Sequence, residues 1–221
     1  DRYWVGGTGN WSGTTHWRAT SGGASGASVP VPADNVYFDA NSGTGTVTCN
    51  YGLCNDFDAT NSSSLVFHFT DILQVYGDIK LSSSAGMTFT QVSDYNCIFL
   101  CGTTNQTLDC DGVDILELRG NIGSTRYIYI VSDIKCTKSS FDVGGGAHVA
   151  YIVPSEGVTI SVQDYYRSDY TLFNHNTLEF TYSATSSSYT SHIFDNRGID
   201  GLHTVDIHLV NEDAGTYSVD M

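Results

Sequence analysis

The chain has 221 residues, enough for one sizeable all-β body with its own core, and only 15% of them are charged. Asp and Glu number 24 against 9 Lys and Arg, a formal net charge of −15, which argues against nucleic acid or an anionic membrane as partner because both would repel it. No run of about 20 apolar residues reads as a membrane-inserting helix, and the wealth of Ser, Thr, Gly, Asn and Tyr with little Lys fits an extracellular or virion-exposed surface.

Residues 1–41 differ from all that follow. The three tryptophans, Trp4, Trp11 and Trp17, lie in Arg2-Tyr-Trp-Val-Gly-Gly-Thr-Gly-Asn-Trp-Ser12 and Thr15-His-Trp17. Ser21-Gly-Gly-Ala-Ser-Gly-Ala27, Pro30, Pro32 and the strand-like Asn35-Val-Tyr-Phe-Asp39 come next. A parallel solenoid has open ends with unpaired backbone groups, so it needs a terminal cap, and aromatics among glycine turns suit that job. The other reading of Trp4, Trp11 and Trp17 is a carbohydrate-binding platform, since flat aromatic faces pack on sugar rings. The chain opens on Asp1 without Met, which reads as a processed product or an excised piece.

Residues 42–162 alternate short β-rich runs with Gly, Ser and Asn turns. The runs at 65–69, 73–76, 87–90, 97–100, 115–118, 127–131, 149–153 and 158–162 are four or five residues long and rich in aliphatic, β-branched and aromatic types. Proline is absent between Pro32 and Pro154, so nothing interrupts a ladder there. Ile72-Leu-Gln-Val-Tyr-Gly-Asp-Ile-Lys-Leu-Ser-Ser-Ser84 returns in part as Ile115-Leu-Glu-Leu-Arg-Gly-Asn-Ile-Gly-Ser124, with a weaker echo at Asp200-Gly-Leu-His-Thr-Val-Asp-Ile-His-Leu209. The spacing of the first two copies is about two solenoid turns of roughly 20–25 residues. Their aliphatics are expected to point inward and stack, with Gly77 and Gly120 at bends. Residues 163–221 hold looser strand phrases, read as further rungs or a C-terminal β extension with longer loops.

The candidate chemistry is sparse. Asp109-Cys-Asp-Gly-Val-Asp114, with Glu117 nearby, is the densest carboxylate cluster. Asp109, Asp111 and Asp114 read as a solvated turn, as oxygen ligands for a Ca²⁺ cofactor, or as a glycosidase-like carboxylate set. Thr204, Asp206 and His208 share one strand face and His203 the other; Asp206 and His208 offer two groups toward a metal or acid-base site, but the stronger reading is an exposed strand face. Gly144-Gly-Gly146 reads as a turn, and the three glycosylation sequons at Asn10, Asn61 and Asn105 match chance. Six cysteines allow three disulfides; Cys49 and Cys54, flanking a turn, are the preferred pair, against the alternative of thiols acting as small buried hydrophobes.

Taken in order, the Trp-rich opening, His16-Trp17, Ser21-Gly-Gly-Ala24, Asp34-Asn-Val-Tyr-Phe-Asp-Ala-Asn41, Val75-Tyr-Gly-Asp-Ile-Lys-Leu-Ser-Ser-Ser84 and Met87-Thr-Phe89 resemble the β-helical repeat proteins of bacteriophage virions and bacterial cell surfaces. The resemblance covers the first 40 residues most closely and extends loosely to about residue 135. It implies an all-β fold, a right-handed parallel β-helix (β-solenoid) with a Trp-rich N-terminal cap, in an exposed structural or adhesive protein. It brings no catalytic residues. Two departures stand out: six cysteines where such proteins have few, and a tail after residue 163 that matches none of its motifs.

The expected role is a non-enzymatic extracellular or virion-exposed module: a phage tail fibre, appendage or decoration protein, or a bacterial surface protein. Its partners would be other copies of itself or neighbouring virion or surface subunits, with a host-surface glycan as a further ligand. Two other classes stand beside it: a tailspike-like protein that binds or cleaves polysaccharide, and a filament subunit stacking end to end through contacts that do not close.

Overall fold

In the computed structural model the described residues are 1–120, 124–138, 140–143 and 150–162, together with the backbone of five later strands. Chain order starts with β1 (Arg2–Trp4), β2 (Gly9–Asn10) and β3 (Trp17–Arg18). Three coils follow: β4 (Val36–Tyr37), β5 (Gly45–Cys49) and β6 (Gly52–Cys54); β7 (Phe57–Asp58), β8 (Leu65–Phe69) and β9 (Leu73–Val75); then β10 (Ile79–Lys80), β11 (Thr88–Gln91) and β12 (Ile98–Leu100). The next coil contributes β13 (Gln106–Asp109) and β14 (Leu118–Gly120). After it come β15 (Arg126–Ile130), β16 (Ile134–Cys136) and β17 (Ser140–Asp142), then β18 (Ala150–Pro154), β19 (Thr159–Val162) and β20 (Tyr165–Ser168). The backbone continues through β21 (Tyr170–Thr171), β22 (Asn176–Tyr182), β23 (Ile193–Asn196) and β24 (Val205–Asn211).

These strands stack as a parallel β-solenoid. The first sheet runs β1, β4, β7, β10, β13, β15, β18, β21, with β3 added antiparallel on the outer edge of β1. The second is β2, β5, β8, β11, and the third is β6, β9, β12, β14, β17, β20, β23. A fourth sheet, β16, β19, β22, β24, takes the place of the second in later coils, between first-sheet and third-sheet strands in chain order. Between the two, the coil at 110–117 supplies a single bridge, Asp114 to Lys135, among the described residues.

Alternation fixes which side chains go inward. In β8 the pattern of Leu65, Phe67 and Phe69 buried against half-buried Val66 and His68 is the period-2 signature of a strand with one face on a core. In register, Val36 stacks on Phe57, Ile79, Leu108 and Ile130, while Val47 stacks on Phe67 and Phe89. Each fully buried aliphatic or phenyl side chain of these columns contributes about 1.5–3 kcal/mol of transfer free energy.

The Trp-rich segment does more than cap. β1 and β2 are already the first parallel strands of their sheets, so the coil begins inside residues 1–41, and only β3 lies across the end.

The repeated phrase is present but slipped. Leu73 stacks on Ile98 and that on Leu118, so its partner is two residues beyond Leu116, its equivalent in the phrase. The cause is local: Leu116 has φ +67°, and the Glu117 N–H donates to the Ile115 carbonyl at 2.8 Å, closing a three-residue turn of the strained positive-φ kind. Asp114 holds the turn by accepting the Leu116 N–H at 2.9 Å. Strand β14 therefore begins two residues late, and Gly120 lies within it rather than at a bend.

Candidate functional site

Outward positions of the first sheet gather aromatic rings. In β15 the burial alternates, Arg126, Ile128 and Ile130 inward, Tyr127 and Tyr129 outward at 42% and 37% exposed. The two rings lie 6.1 Å apart at 17°, and Tyr127 stacks on Tyr151 of the next coil at 5.1 Å and 26°. Backbone register places Tyr170 beside Tyr151, and Thr107 and Val153 on either side of Tyr129. Val131, 44% exposed, follows at the end of β15. The result is an uncharged patch of phenols and β-branched side chains, amphipathic groups suited to a partner surface. The sequence signal was the alternation Tyr127-Ile-Tyr-Ile-Val131, whose period of two places both aromatics on the solvent face.

The tryptophans are elsewhere. Trp4, Trp11 and Trp17 are completely buried, so the expected sugar platform is corrected: no indole face is open to stack on a ring. Trp17 meets Trp4 and Trp11 edge-on at 5.0 and 4.8 Å, and its Nε1–H donates to the Trp11 carbonyl at 2.7 Å. Trp4 donates to the Gly7 carbonyl at 2.8 Å and stacks on His16. Aromatic residues three coils deep then continue inward through Phe38, Phe57, Phe67 and Phe89.

Asp109, Asp111 and Asp114 do not converge. Asp109 lies opposite Lys80 in the ladder. Asp111 accepts the Ser83 N–H at 2.9 Å and the Ser83 hydroxyl at 2.8 Å, and these bonds hold its carboxyl below the usual range. Asp114 accepts from the Leu116 and Thr137 N–H groups and the Thr137 hydroxyl. Among the described residues no three His, Cys, Asp or Glu side chains gather as a metal site. An open groove of about 330 Å³ at the next corner is lined by Asp111, Ser132, Asp133 and Glu156, one carboxylate from each of three coils. Of the other sequence candidates, Asp206 and His208 lie in β24 in register with Thr177 and Glu179, whereas His203, Thr204 and Gly144-Gly-Gly146 fall outside the described residues.

Glu117, the last acid of that cluster, is completely buried, where the sequence placed it near a solvated turn. Its Oε1 accepts from Arg119 Nε at 2.5 Å and from the Ser140 hydroxyl at 3.2 Å, and its Oε2 accepts the Tyr95 N–H at 3.1 Å. Arg119 reaches Asp142 at 3.5 Å, and the ring of Tyr95 covers the guanidinium at 3.9 Å. Burial alone would lower the Arg119 pKa, but Glu117, Cys97 and Asp142 outweigh it and raise it. The arrangement locks the slipped turn to the coils on either side, and both Glu117 oxygens are already engaged by donors of the chain.

All six cysteines are buried free thiols, so the expected Cys49–Cys54 bridge is not formed. The two residues end β5 and β6, strands of different sheets, and Cys49 points its Sγ at the Ile72 carbonyl, 3.6 Å away. The thiols fill core positions as small hydrophobes. Desolvation raises each of them above the ordinary 9.0, Cys101 to about 11 and Cys110 to about 12. A raised thiol favours the folded state fully below its unfolded pKa and loses that contribution as pH climbs toward the folded value. The thermal midpoint should hold from neutrality to about pH 9 and fall steeply beyond it. A chromogenic thiol reagent should label none of the six in the native protein and all of them in denaturant.

No protein-family model, no curated protein and no solved structure matches the chain.

Proposed function

We propose that the chain is a non-enzymatic structural and adhesive module exposed on a virion or cell surface, a β-solenoid that holds binding side chains at fixed spacing. The tyrosine face supports this reading. In a protein of net charge −15, an uncharged patch of half-exposed rings is where a partner, another copy or a host surface, is met without charge repulsion. Tyrosines on adjacent strands also present the contact with little ordering cost, since each ring has few rotatable bonds.

A glycan ligand is the second reading, favoured by the same rings, each of which offers a sugar an apolar flank and a hydroxyl. Cleavage of that glycan has less support, because Glu117 is buried in an ion pair and Asp109, Asp111 and Asp114 point to different partners.

Purified protein should be retained on bacterial cells or on an immobilised polysaccharide, and Tyr127→Ser/Tyr151→Ser should weaken retention about tenfold or more at an unchanged thermal midpoint. Failure of the wild-type chain to bind cells, glycans or particles carrying its own copies would overturn the adhesive role. Release of new reducing ends from a polysaccharide panel would overturn the non-enzymatic one.

A further inference from the structure

Arg126 opens β15 from an inward position and is 2% exposed, facing the small Ala150 of the next coil. One guanidinium nitrogen, Nη2, donates to the Leu100 carbonyl at 3.2 Å, while Nε and Nη1 have no partner among the described residues. Gln106 lies on β13 opposite Ile128, diagonal to Arg126 and within reach of a long side chain. Its Nε2 donates to the carbonyls of Val75 and Gly77, at 3.2 and 2.5 Å, and its buried Oε1 has no partner among the described residues. Val75 and Leu100 are register neighbours in the third sheet, so both polar heads hang at one corner on consecutive coils.

The contrast with Arg119 is chemical. Arg119 has two carboxylates at hand, Glu117 and Asp142. Among the described residues the one ionisable neighbour acting on Arg126 is the Cys101 thiol, itself pushed up to about 11 and so neutral near pH 7. Arginine does not shed its proton in proteins, and an uncompensated charge in a core is destabilising. Leu100, whose carbonyl it meets, and Ile128, the next inward side chain of β15, are aliphatic and cannot offset it.

We propose that the corner between the third and first sheets is an internal site for a small monovalent anion, held by Nε and Nη1 of Arg126, with a water handing an O–H to Gln106 Oε1. Chloride brings the one compensating charge in a compact ion, and a bulky organic anion brings the same charge with far more volume to bury. The ion supplies the counter-charge that Arg126 lacks among the described side chains.

Thermal unfolding in sodium chloride and in sodium gluconate at equal ionic strength tests the site. Wild-type protein should gain a saturable rise in midpoint from chloride alone. Arg126→Met should lose that rise, weakening apparent chloride affinity at least about tenfold, the loss of one charge-assisted hydrogen bond, while melting in gluconate at or above the wild-type midpoint. Identical wild-type curves in the two salts overturn the proposal, as does a chloride response that survives in Arg126→Met. If that variant does not fold, a crystal of the wild type soaked in bromide decides: an anomalous peak within hydrogen-bond reach of Arg126 supports the site, and its absence overturns it.

Discussion

Arg119→Met should cost about 3–5 kcal/mol of unfolding free energy, because it strands the Glu117 carboxylate in the core without its counter-charge. Glu117 is fully buried and Arg119 is only 18% exposed, so water replaces little of the lost interaction. The companion double variant Glu117→Leu/Arg119→Met should recover much of the loss, since a buried ion pair exchanged for apolar groups of similar volume is often near neutral. Urea titration of the three proteins reads both numbers. A loss below about 1 kcal/mol for Arg119→Met, the scale of an exposed pair, would show that the network is not sealed from solvent.

Trp17→Ala should be nearly as damaging, about 3–5 kcal/mol, the range for deleting a buried aromatic. Trp17 is the hub of the N-terminal end: it meets Trp4, Trp11 and Phe38, and its backbone pairs antiparallel with β1. Its removal opens a cavity between the other two indoles and leaves the Trp11 carbonyl without its donor. Equilibrium unfolding followed by tryptophan fluorescence should show the two remaining indoles moving to longer emission wavelength in the native baseline. A change under about 1 kcal/mol with unaltered emission would mean that the end is not packed as described.

Much of the scaffold was legible. Leu65-Val-Phe-His-Phe69 announces its strand because one alternating phrase settles both conformation and facing. The tryptophans announced an end but left two uses open, since ring chemistry serves a plug and a sugar platform alike; only burial separates them. The repeat from Ile72 to Ile115 showed the coil but concealed the slip at Leu116, because a positive φ in a leucine leaves no compositional trace.

Glu117 and Arg126 were invisible for a related reason. What a charged side chain faces is decided by residues one coil away, Ser140 and Asp142 for the first and Leu100 for the second, and local sequence does not carry that information. The polar ladder residue Gln106 was passed over because its strand lacks the apolar density that marks its neighbours.

The second sheet stops at β11 and the fourth starts at β16, whereas the first and third sheets pass that level unbroken. A beam with two continuous walls and one split wall is not equally stiff in every direction. Tension along its axis runs through the first and third sheets, and bending is easiest where the gap opens, on the side of β11 and Asp114. A solenoid built this way has a preferred direction of flex, set by eight residues between β13 and β14 that form no strand.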